Sequence, residues 1–181
     1  MSVQALYLQK RMSAADAIRV VRNGETVVVP TGVGEPPSLL AALGEARRDF
    51  RDVTVAQLLP VRKYGYFDAE TAEHVRHTAY FFSGTSRPGG LEGWIDYRPA
   101  CFAELPTLIK RDLIPADVVF SIASPMDEHG YFSLALAADY TMAAVEKARA
   151  IVLEINSNVP FANGDCHVHV SQVTALTESD D

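Results

Sequence analysis

Short runs of β-branched and apolar residues alternate with segments of helical spacing along this chain of 181 residues, and that alternation restricts the folds open to it. Thr26 to Val29 is one such run, bounded by Asn23-Gly24 and Pro30, which is typical of a buried strand. Strands are predicted in the same way for four further runs: Val53 to Leu59, Thr78 to Ser83, Asp117 to Ser124 and Ile151 to Asn156.

Helices are predicted between these strands. A first amphipathic helix begins after Ser13, a plausible N-cap, and ends near Arg22 with Gly24 just beyond it. Further helices are predicted after Pro36-Pro37, from Phe102 to Lys110 around Pro106, and from about Tyr140 to Arg149. The strand–helix–strand order favours an α/β fold, an open, mostly parallel sheet with helices on both faces. No repeat or interdomain linker interrupts it, so residues 1–181 are expected to form a single domain.

Composition argues against several classes of partner. Sixteen basic and 23 acidic side chains give a net charge of −7, which opposes nonspecific binding to nucleic acid or to an anionic membrane. The first ten residues lack the basic start and apolar centre of a secretory signal, and no apolar run approaches the roughly 18 residues of a membrane span. Cys101 and Cys166 are too few for a disulfide scaffold. We therefore expect a cytoplasmic protein with reduced cysteines and neither nucleic-acid nor membrane partners.

A glycine-containing loop, Gly32-Val33-Gly34, follows the first predicted strand. It invites comparison with a dinucleotide fingerprint, but Pro37 stands in place of the third glycine and no acidic residue ends a strand about 20 positions on. The loop therefore argues against a nicotinamide cofactor. Two interpretations stay open: it only turns the chain, or it faces a substrate beyond the carboxyl ends of the strands.

A second polar segment runs from Ser121 to Leu134. Asp127, Glu128 and His129 could supply an acid–base pair, because a carboxylate beside an imidazole fixes its tautomer and raises its basicity. They also form an ordinary polar turn bracketed by Pro125 and Gly130, and the residues alone favour that interpretation.

His167 and His169 are two residues apart and would share one face of a strand. Two ligands do not complete a metal site, although Asp165 and Cys166 could add others. A pair of hydrogen-bonded histidines in or near a sheet is the more frequent arrangement, so no metal site is predicted.

Several longer segments carry a family resemblance. They are Thr31 to Pro36, Phe82-Ser83-Gly84, Tyr97-Arg98-Pro99 leading into Glu104-Leu105-Pro106, Ser124 to Leu134, Asp139-Tyr140-Thr141, Val152 to Asn156, Val159-Pro160, Gly164-Asp165 and His167 to Ser171. In this order they resemble the N-terminal domain of the acetyl-CoA hydrolase/transferase family, which includes acetate, succinate and 4-hydroxybutyrate CoA-transferases. The chain departs from the family at three positions: Met126 replaces a common proline, Phe161 an arginine and His167 an aliphatic residue.

The resemblance implies a Rossmann-like N-terminal domain of a two-domain CoA-transferase. Such an enzyme exchanges CoA between an acyl-CoA and a small carboxylic acid through a glutamyl-CoA intermediate, with CoA as a substrate and no tightly bound cofactor. The family's reactive glutamate belongs to a C-terminal half, and no position here matches it. We therefore expect no catalytic residue in this chain, no turnover by the chain alone, and a C-terminal catalytic half or subunit as partner in a homo- or hetero-oligomer.

Two groups of site residues are predicted, the first from the resemblance and the second from the polar turns of the sequence. Those expected to line the acyl pocket are Gly32, Val33, Gly34, Ser83 and Gly84. Those expected to shape the crevice through turns, as structural residues, are Pro125, Asp127, His129, Gly130 and Asn156. An acetyl-CoA hydrolase and a noncatalytic domain that binds a carboxylate or an acyl-CoA are the alternative functions.

Overall fold

The computed structural model describes residues 2–180, which build a central seven-stranded sheet and a separate two-stranded one. The strands are Thr26–Val28 (β1), Val53–Gln57 (β2), Val75–Ala79 (β3), Asp96–Tyr97 (β4), Val118–Ala123 (β5), Tyr131–Ser133 (β6), Ala150–Ile155 (β7), His167–His169 (β8) and Ala175–Glu178 (β9). The helices are Val3–Lys10 (α1), Ala14–Ala17 (α2), Pro37–Glu45 (α3), Arg87–Glu92 (α4), Leu105–Lys110 (α5) and Thr141–Lys147 (α6). None of the helices described is long and apolar enough to cross a membrane.

The large sheet is parallel, and its strand order is β4-β3-β2-β1-β5-β7-β9. The chain runs outward from β1 to β4, returns to the other side of β1, and continues outward through β5, β7 and β9. The order therefore reverses between β1 and β5. At such a switch point the connections leave in opposite directions and a crevice opens at the carboxyl ends of the strands.

Helices cover both faces of the sheet, as predicted. On one face, Leu39 and Leu43 of α3 belong to the buried cluster that contains Val27 and Val55. On the other face, α5 and α6 cover the cluster of Val28, Val119 and Leu153, contributing the buried side chains Leu105, Ile109 and Ala144. Because consecutive side chains on a strand point to opposite faces, apolar residues are favoured at nearly every position, which explains why β1, β5 and β7 are mostly apolar; the exceptions, Thr26, Ser121 and Glu154, are buried polar residues.

Most predicted elements are confirmed to within two residues at each end: β1, β2, β5, β7, α5 with its preceding turn, and α6. The third strand was predicted at Thr78 to Ser83 and lies instead at Val75–Ala79. The boundary was wrong because polar Arg76 and His77 interrupt the apolar pattern inside the strand, while the apolar run continues past its end into a loop where Phe81 is exposed.

The first predicted helix is shorter than its pattern suggested. Ser13 is its N-cap as expected, accepting a hydrogen bond from the Asp16 amide at 3.1 Å. The α-helix ends at Ala17 and a 3₁₀ turn continues it to Val20, two residues before the predicted end. The elements α1, α4, β4, β6 and β9 have no predicted counterpart; α1 has no fully buried residue, although Val3, Leu6 and Tyr7 pack against the core.

The turn after β1 packs closely against another part of the chain. Gly32 has a φ of +55°, and a Cβ on Gly34 would lie 2.9 Å from Pro30 Cβ and 3.0 Å from Ala137 Cα. Ala137 belongs to a 3₁₀ turn, Ala135–Ala137, that follows β6. The absence of a side chain at Gly34 therefore lets these two turns touch.

A Gly34→Ala substitution should lower the free energy of unfolding by about 1–3 kcal/mol, the usual range for overpacking, because Pro30 and Ala137 must move to admit the methyl group. Gly84→Ala is the matched control, since a Cβ there meets nothing within 4 Å; its effect should stay within about 0.5 kcal/mol. Urea unfolding of both variants measures the difference. Equal stabilities would contradict the close approach at Gly34.

His77 is buried without a polar partner. Its side chain on β3 is 1% exposed, and the rings of Phe67 and Tyr66 lie 4.7 and 6.3 Å from it between centroids. Within residues 2–180 neither ring nitrogen has a hydrogen-bond partner. Burial lowers the pKa of His77 from 6.5 to about 3, so the imidazole is neutral in the folded state at neutral pH.

This depressed pKa predicts a loss of stability in mild acid. Between pH 6.5 and 3 the unfolded chain binds a proton at His77 that the folded chain does not, so the free energy of unfolding falls as the pH falls through that window. Between pH 7 and pH 5 the wild type should lose about 2 kcal/mol more than a His77→Phe variant. Urea unfolding at both pH values tests this, and parallel losses in the two proteins would show that His77 does not carry the effect.

Candidate functional site

A cleft of about 170 Å³ opens at the switch point between β1 and β5. Its walls come from the loop after β1, the segment after β2 and the end of β5. The lining residues are Gly32, Val33, Glu35, Pro37, Val61, Arg62 and Ile122. Four apolar residues, glycine backbone, the cationic residue Arg62 and the acidic residue Glu35 thus converge at the edge where open α/β sheets bind ligands.

Asp139 anchors the loop after β1 from the side of α6. Its Oδ2 accepts a hydrogen bond from the Thr31 amide at 2.9 Å, and its Oδ1 accepts from the Thr141 amide at 2.8 Å and hydroxyl at 2.6 Å. Burial raises the pKa of the Asp139 carboxyl above its usual range, although these hydrogen bonds oppose the shift. Asp139 therefore ties the start of α6 to the loop that carries Gly32.

Tyr140 joins the carboxyl ends of two neighbouring strands. Its buried hydroxyl donates to the Val29 carbonyl at 2.5 Å and accepts from the Leu58 amide at 3.0 Å. Burial raises the pKa of Tyr140 well above its ordinary value, so the phenol keeps its proton. These bonds hold the backbone after β1 and the backbone after β2 at a fixed separation.

Glu35 lies inside the cleft wall with 4% of its surface exposed. Its carboxylate accepts hydrogen bonds from the side chains of Gln57 and Tyr64 and from the backbone amides of Val61 and Arg62. Burial and the nearby Glu35 carboxylate raise the pKa of the Tyr64 hydroxyl far above its ordinary value. Glu35 therefore links the loop after β1 to the segment after β2, the two walls of the cleft.

Glu154, at the end of β7, fixes the helix that begins in the cleft wall. Its side chain is fully buried, and Oε2 accepts from the Leu39 amide at 3.0 Å in the first turn of α3. Burial raises the pKa of this carboxyl, against the lowering effect of the amide hydrogen bonds. A carboxylate at a helix N-terminus satisfies otherwise unpaired N–H groups and interacts favourably with the helix dipole. The position of Pro37, the first residue of α3, depends on this contact.

Apolar side chains stand exposed around the cleft. Val33 is 70% exposed, and Val61 and Leu136 on neighbouring turns are also exposed. We call these three residues the apolar rim. Exposed apolar groups that gather beside a binding cleft mark an interaction surface more often than isolated ones do.

Two of the five residues predicted to line a pocket lie in this cleft. Gly32 and Val33 line it, whereas Gly34 is buried behind them against Ala137. Ser83 and Gly84 follow β3 at the same edge of the sheet but do not line this cleft. Their loop contacts the cleft segment through Thr85, whose hydroxyl donates to the Val61 carbonyl at 3.4 Å. A single pocket shared by both loops remains a prediction.

The predicted structural residues lie in turns after β5 and β7. The Asp127 carboxylate accepts from the Tyr131 amide at 2.7 Å and the His129 amide at 2.9 Å, and these bonds lower the pKa of Asp127. His129 is exposed, with Nε2 3.4 Å from Glu128. Gly130 has a φ of +91°, so the turn uses a conformation that favours glycine.

Asn156 and Pro125 complete that group. Asn156 is buried. Its side-chain Oδ1 accepts a hydrogen bond from the Asn158 backbone amide at 2.8 Å, and its backbone amide donates to the Ala123 carbonyl at 3.0 Å. Pro125 is exposed and lines a second cavity of about 490 Å³ beyond β7 and β9. The charged side chains lining that cavity, Glu178 and Asp180, are both acidic, which disfavours an anionic ligand there. The cleft also contains an acidic residue, Glu35, but its carboxylate is paired with four donors in the wall, and Arg62 adds a cationic residue. The cleft is therefore the better candidate for an anionic ligand despite its smaller volume.

The two histidines at 167 and 169 lie on β8 and hydrogen-bond within the chain. His167 Nε2 is 2.9 Å from the Ala162 carbonyl, and His169 Nδ1 is 2.8 Å from the Ser171 hydroxyl. The described residues contain no group of three or more side chains arranged to hold a metal ion.

Several residues of the cleft were not singled out from the sequence: Glu35, Val61, Arg62 and Ile122. A charged residue inserted between a glycine and two prolines, and a glutamine ending the apolar run of β2, were the signals available for the Glu35 network. Arg62 and Val61 lie in a segment without a motif, so only the tertiary structure could identify them.

Comparison with known proteins assigns the family. The family model described as the acetyl-CoA hydrolase/transferase N-terminal domain matches residues 1–181. The chain is 38% identical over 183 residues to succinyl-CoA:cyclohexane-1-carboxylate CoA transferase of Geobacter metallireducens, and 32% identical over 179 residues to 4-hydroxybutyrate coenzyme A transferase of Clostridium kluyveri. Each match covers 99% of this chain but only 41% and 42% of the relative, so the chain spans less than half the length of these relatives.

Solved structures agree with the family model. RipA from Yersinia pestis superimposes with a TM-score of 0.88 at 28% identity, over 99% of this chain and 44% of that one. The 4-hydroxybutyrate CoA-transferase from Porphyromonas gingivalis superimposes with a TM-score of 0.75 at 26% identity, over 98% of this chain and 41% of that one. From the sheet order, the full-length family match and these superpositions, the chain belongs to the acetyl-CoA hydrolase/transferase family, whose N-terminal domain it matches throughout.

Proposed function

We propose that this domain forms one side of the carboxylic-acid pocket of a CoA-transferase, and that the cleft at the switch point is the binding surface. The observation that carries the proposal is the convergence of Arg62 with Val33, Val61 and Ile122 around glycine backbone in one cleft. A carboxylic acid presents an anionic end and an apolar end, and this lining complements both. The relatives named above act, by their names, on succinyl-CoA, cyclohexane-1-carboxylate and 4-hydroxybutyrate.

The reaction needs a nucleophile from the second half of the enzyme. A glutamate carboxylate attacks the acyl-CoA carbonyl carbon and expels CoA thiolate, which leaves a mixed anhydride. The thiolate then attacks the glutamyl carbonyl of that anhydride, releasing the first carboxylate and forming a glutamyl-CoA thioester. A second carboxylate reverses these steps, so that CoA leaves on the new acyl group and the glutamate is restored.

The two glycine amides of the loop after β1 are not available as oxyanion donors. The Gly32 amide already donates to the Leu59 carbonyl at 2.9 Å, and the Gly34 amide donates to the Thr31 carbonyl at 3.2 Å. Amides that already donate a hydrogen bond within the chain are poorly placed to stabilise a developing oxyanion. We assign this loop to holding the acyl group and excluding water, and the oxyanion contacts to the second half.

The apolar rim faces the second half in this proposal. Val33, Val61 and Leu136 would be buried by a partner that closes the cleft. That partner would also hold most of the phosphates of CoA, since the net charge of this domain is −7. Because the rim is exposed without that partner, we expect the isolated domain to self-associate through it.

A transferase is favoured over a hydrolase because the rim would keep water from the intermediate. A hydrolase differs only in that water, instead of a second carboxylate, resolves the glutamyl thioester. A noncatalytic domain that binds a carboxylate or an acyl-CoA is the alternative from another class, and it requires no second half.

The chain alone should show no exchange of CoA between acetyl-CoA and butyrate, because the attacking carboxylate is supplied by the second half. Addition of the C-terminal half of the enzyme should restore exchange. Chromatography of butyryl-CoA measures the exchange in both experiments. Hydrolysis without exchange would favour the hydrolase. Exchange by the chain alone, with a covalent adduct trapped on one of its own residues, would overturn the proposal.

An Arg62→Gln substitution in the complete enzyme should raise the KM for butyrate about tenfold, equivalent to about 1.4 kcal/mol, through loss of a charge-assisted contact with the carboxylate. The kcat should change by less than about threefold, because the contact is present in both ground and transition states. Lys63→Gln is the matched control, since Lys63 is exposed and does not line the cleft. Equal effects of the two variants would reject Arg62 as a carboxylate contact.

A further inference from the structure

Glu35 holds a carboxylate in a fully occupied cage of donors. Oε2 accepts from Gln57 Nε2 at 2.9 Å and from the Val61 amide at 3.4 Å, whereas Oε1 accepts from the Arg62 amide and the Tyr64 hydroxyl, both at 3.1 Å. Gln57 Nε2 also donates to the Pro30 carbonyl at 2.9 Å. Each oxygen therefore receives two donors, in a place that is closed to bulk water.

The cage argues against a covalent role for this glutamate. A carboxylate attacks a thioester through a lone pair that must reach the carbonyl carbon, and the lone pairs of Glu35 are directed at four donors inside the wall. With 4% of the residue exposed, an acyl-CoA could reach it only if the wall opened. Glu35 is therefore not the missing nucleophile, although it lines the cleft.

The donors come from one wall and the carboxylate from the other. Glu35 belongs to the loop that carries Gly32 and Val33, while the amides of Val61 and Arg62 belong to the segment after β2. A charged acceptor makes stronger hydrogen bonds than a neutral one, and backbone amides that donate to it have little freedom to turn. The separation of the two walls, and the direction in which the Arg62 side chain leaves the backbone, both depend on this cage.

We propose that Glu35 is a positioning residue of the cleft, whose carboxylate sets the distance between the two walls and aims Arg62 at the carboxylate of the bound acid. The effect of Glu35 on the distance between the walls does not depend on which ligand binds. The second part of the proposal, that Glu35 positions Arg62 for the carboxylate of a bound acid, rests on the proposed function.

Glu35→Gln is the sharpest variant because it preserves size and removes the charge. In either orientation the new NH₂ group faces a backbone amide, that of Val61 or that of Arg62, and two donors cannot pair. Glu25→Gln is the matched control. Glu25 accepts from the Arg22 amide at 2.8 Å and pairs with Arg149, but it precedes β1 at the opposite edge of the sheet.

Amide hydrogen exchange tests the positioning directly. In Glu35→Gln the amides of Val61 and Arg62 should exchange about tenfold faster or more, whereas Glu25→Gln should leave them unchanged. Tyr64→Phe removes one donor and keeps the Glu35 charge, so we expect a smaller increase in the exchange rates of the same amides. This variant replaces Glu35→Gln in the test if Glu35→Gln does not fold. Unchanged exchange at Val61 and Arg62 in every variant that removes part of the cage would overturn the proposal.

A double-mutant cycle in the complete enzyme tests the action through Arg62. With acetyl-CoA and butyrate, Glu35→Gln should raise the KM for butyrate about tenfold and change kcat by less than about threefold. In the double variant, Glu35→Gln should raise the KM for butyrate by no more than about twofold above that of Arg62→Gln alone. The reason is that the Arg62 contact, which Glu35 positions, is already absent. Additive effects of the two substitutions on the KM would show that Glu35 does not act through Arg62. Faster exchange in Glu35→Gln with no effect of Arg62→Gln on the KM would instead sustain the positioning and reject the proposed ligand.

Discussion

The parallel sheet must be covered on both faces, and that requirement organises the rest of the molecule. Successive strands of a parallel sheet are joined by crossovers, so helices α3 and α6 end up on opposite faces. The reversal of strand order next to β1 leaves one place at the carboxyl edge that neither layer covers. The cleft therefore follows from the topology, before any particular side chain is considered.

Buried polar groups then give this edge a definite shape. Asp139 and Tyr140 hold the backbone after β1 from the side of α6, Glu154 caps the helix on the opposite face, and Glu35 joins the two walls. Burying a carboxylate is unfavourable unless donors surround it, and these carboxylates meet backbone amides of loops that would otherwise be unpaired. Hydrogen bonds to buried polar side chains thus help to hold the loops around the cleft in place.

Local sequence patterns were reliable where burial is uniform and weak where it is not. The β-branched runs at Val27, Val119 and Val152 located central strands, because both faces of those strands are apolar. The third strand was misplaced because buried His77 has a polar side chain, and the period of apolar residues is the main signal for strands. The glycines of the loop after β1 were recognised as a turn beyond a strand, and two of the three loop residues, Gly32 and Val33, line the cleft.

By itself the sequence determined the α/β class, the parallel order of strands and helices, and, through its motifs, the resemblance to the family. These depend on short-range periodicity and on residues that are neighbours along the chain. Only the tertiary structure decided which loops share a wall, that Arg62 and Ile122 meet Gly32 in one cleft, and that Glu35 is held by four donors from another segment. The physical reason is that contacts between residues 22 to 90 positions apart leave no local pattern, because they are created by the strand order of the sheet.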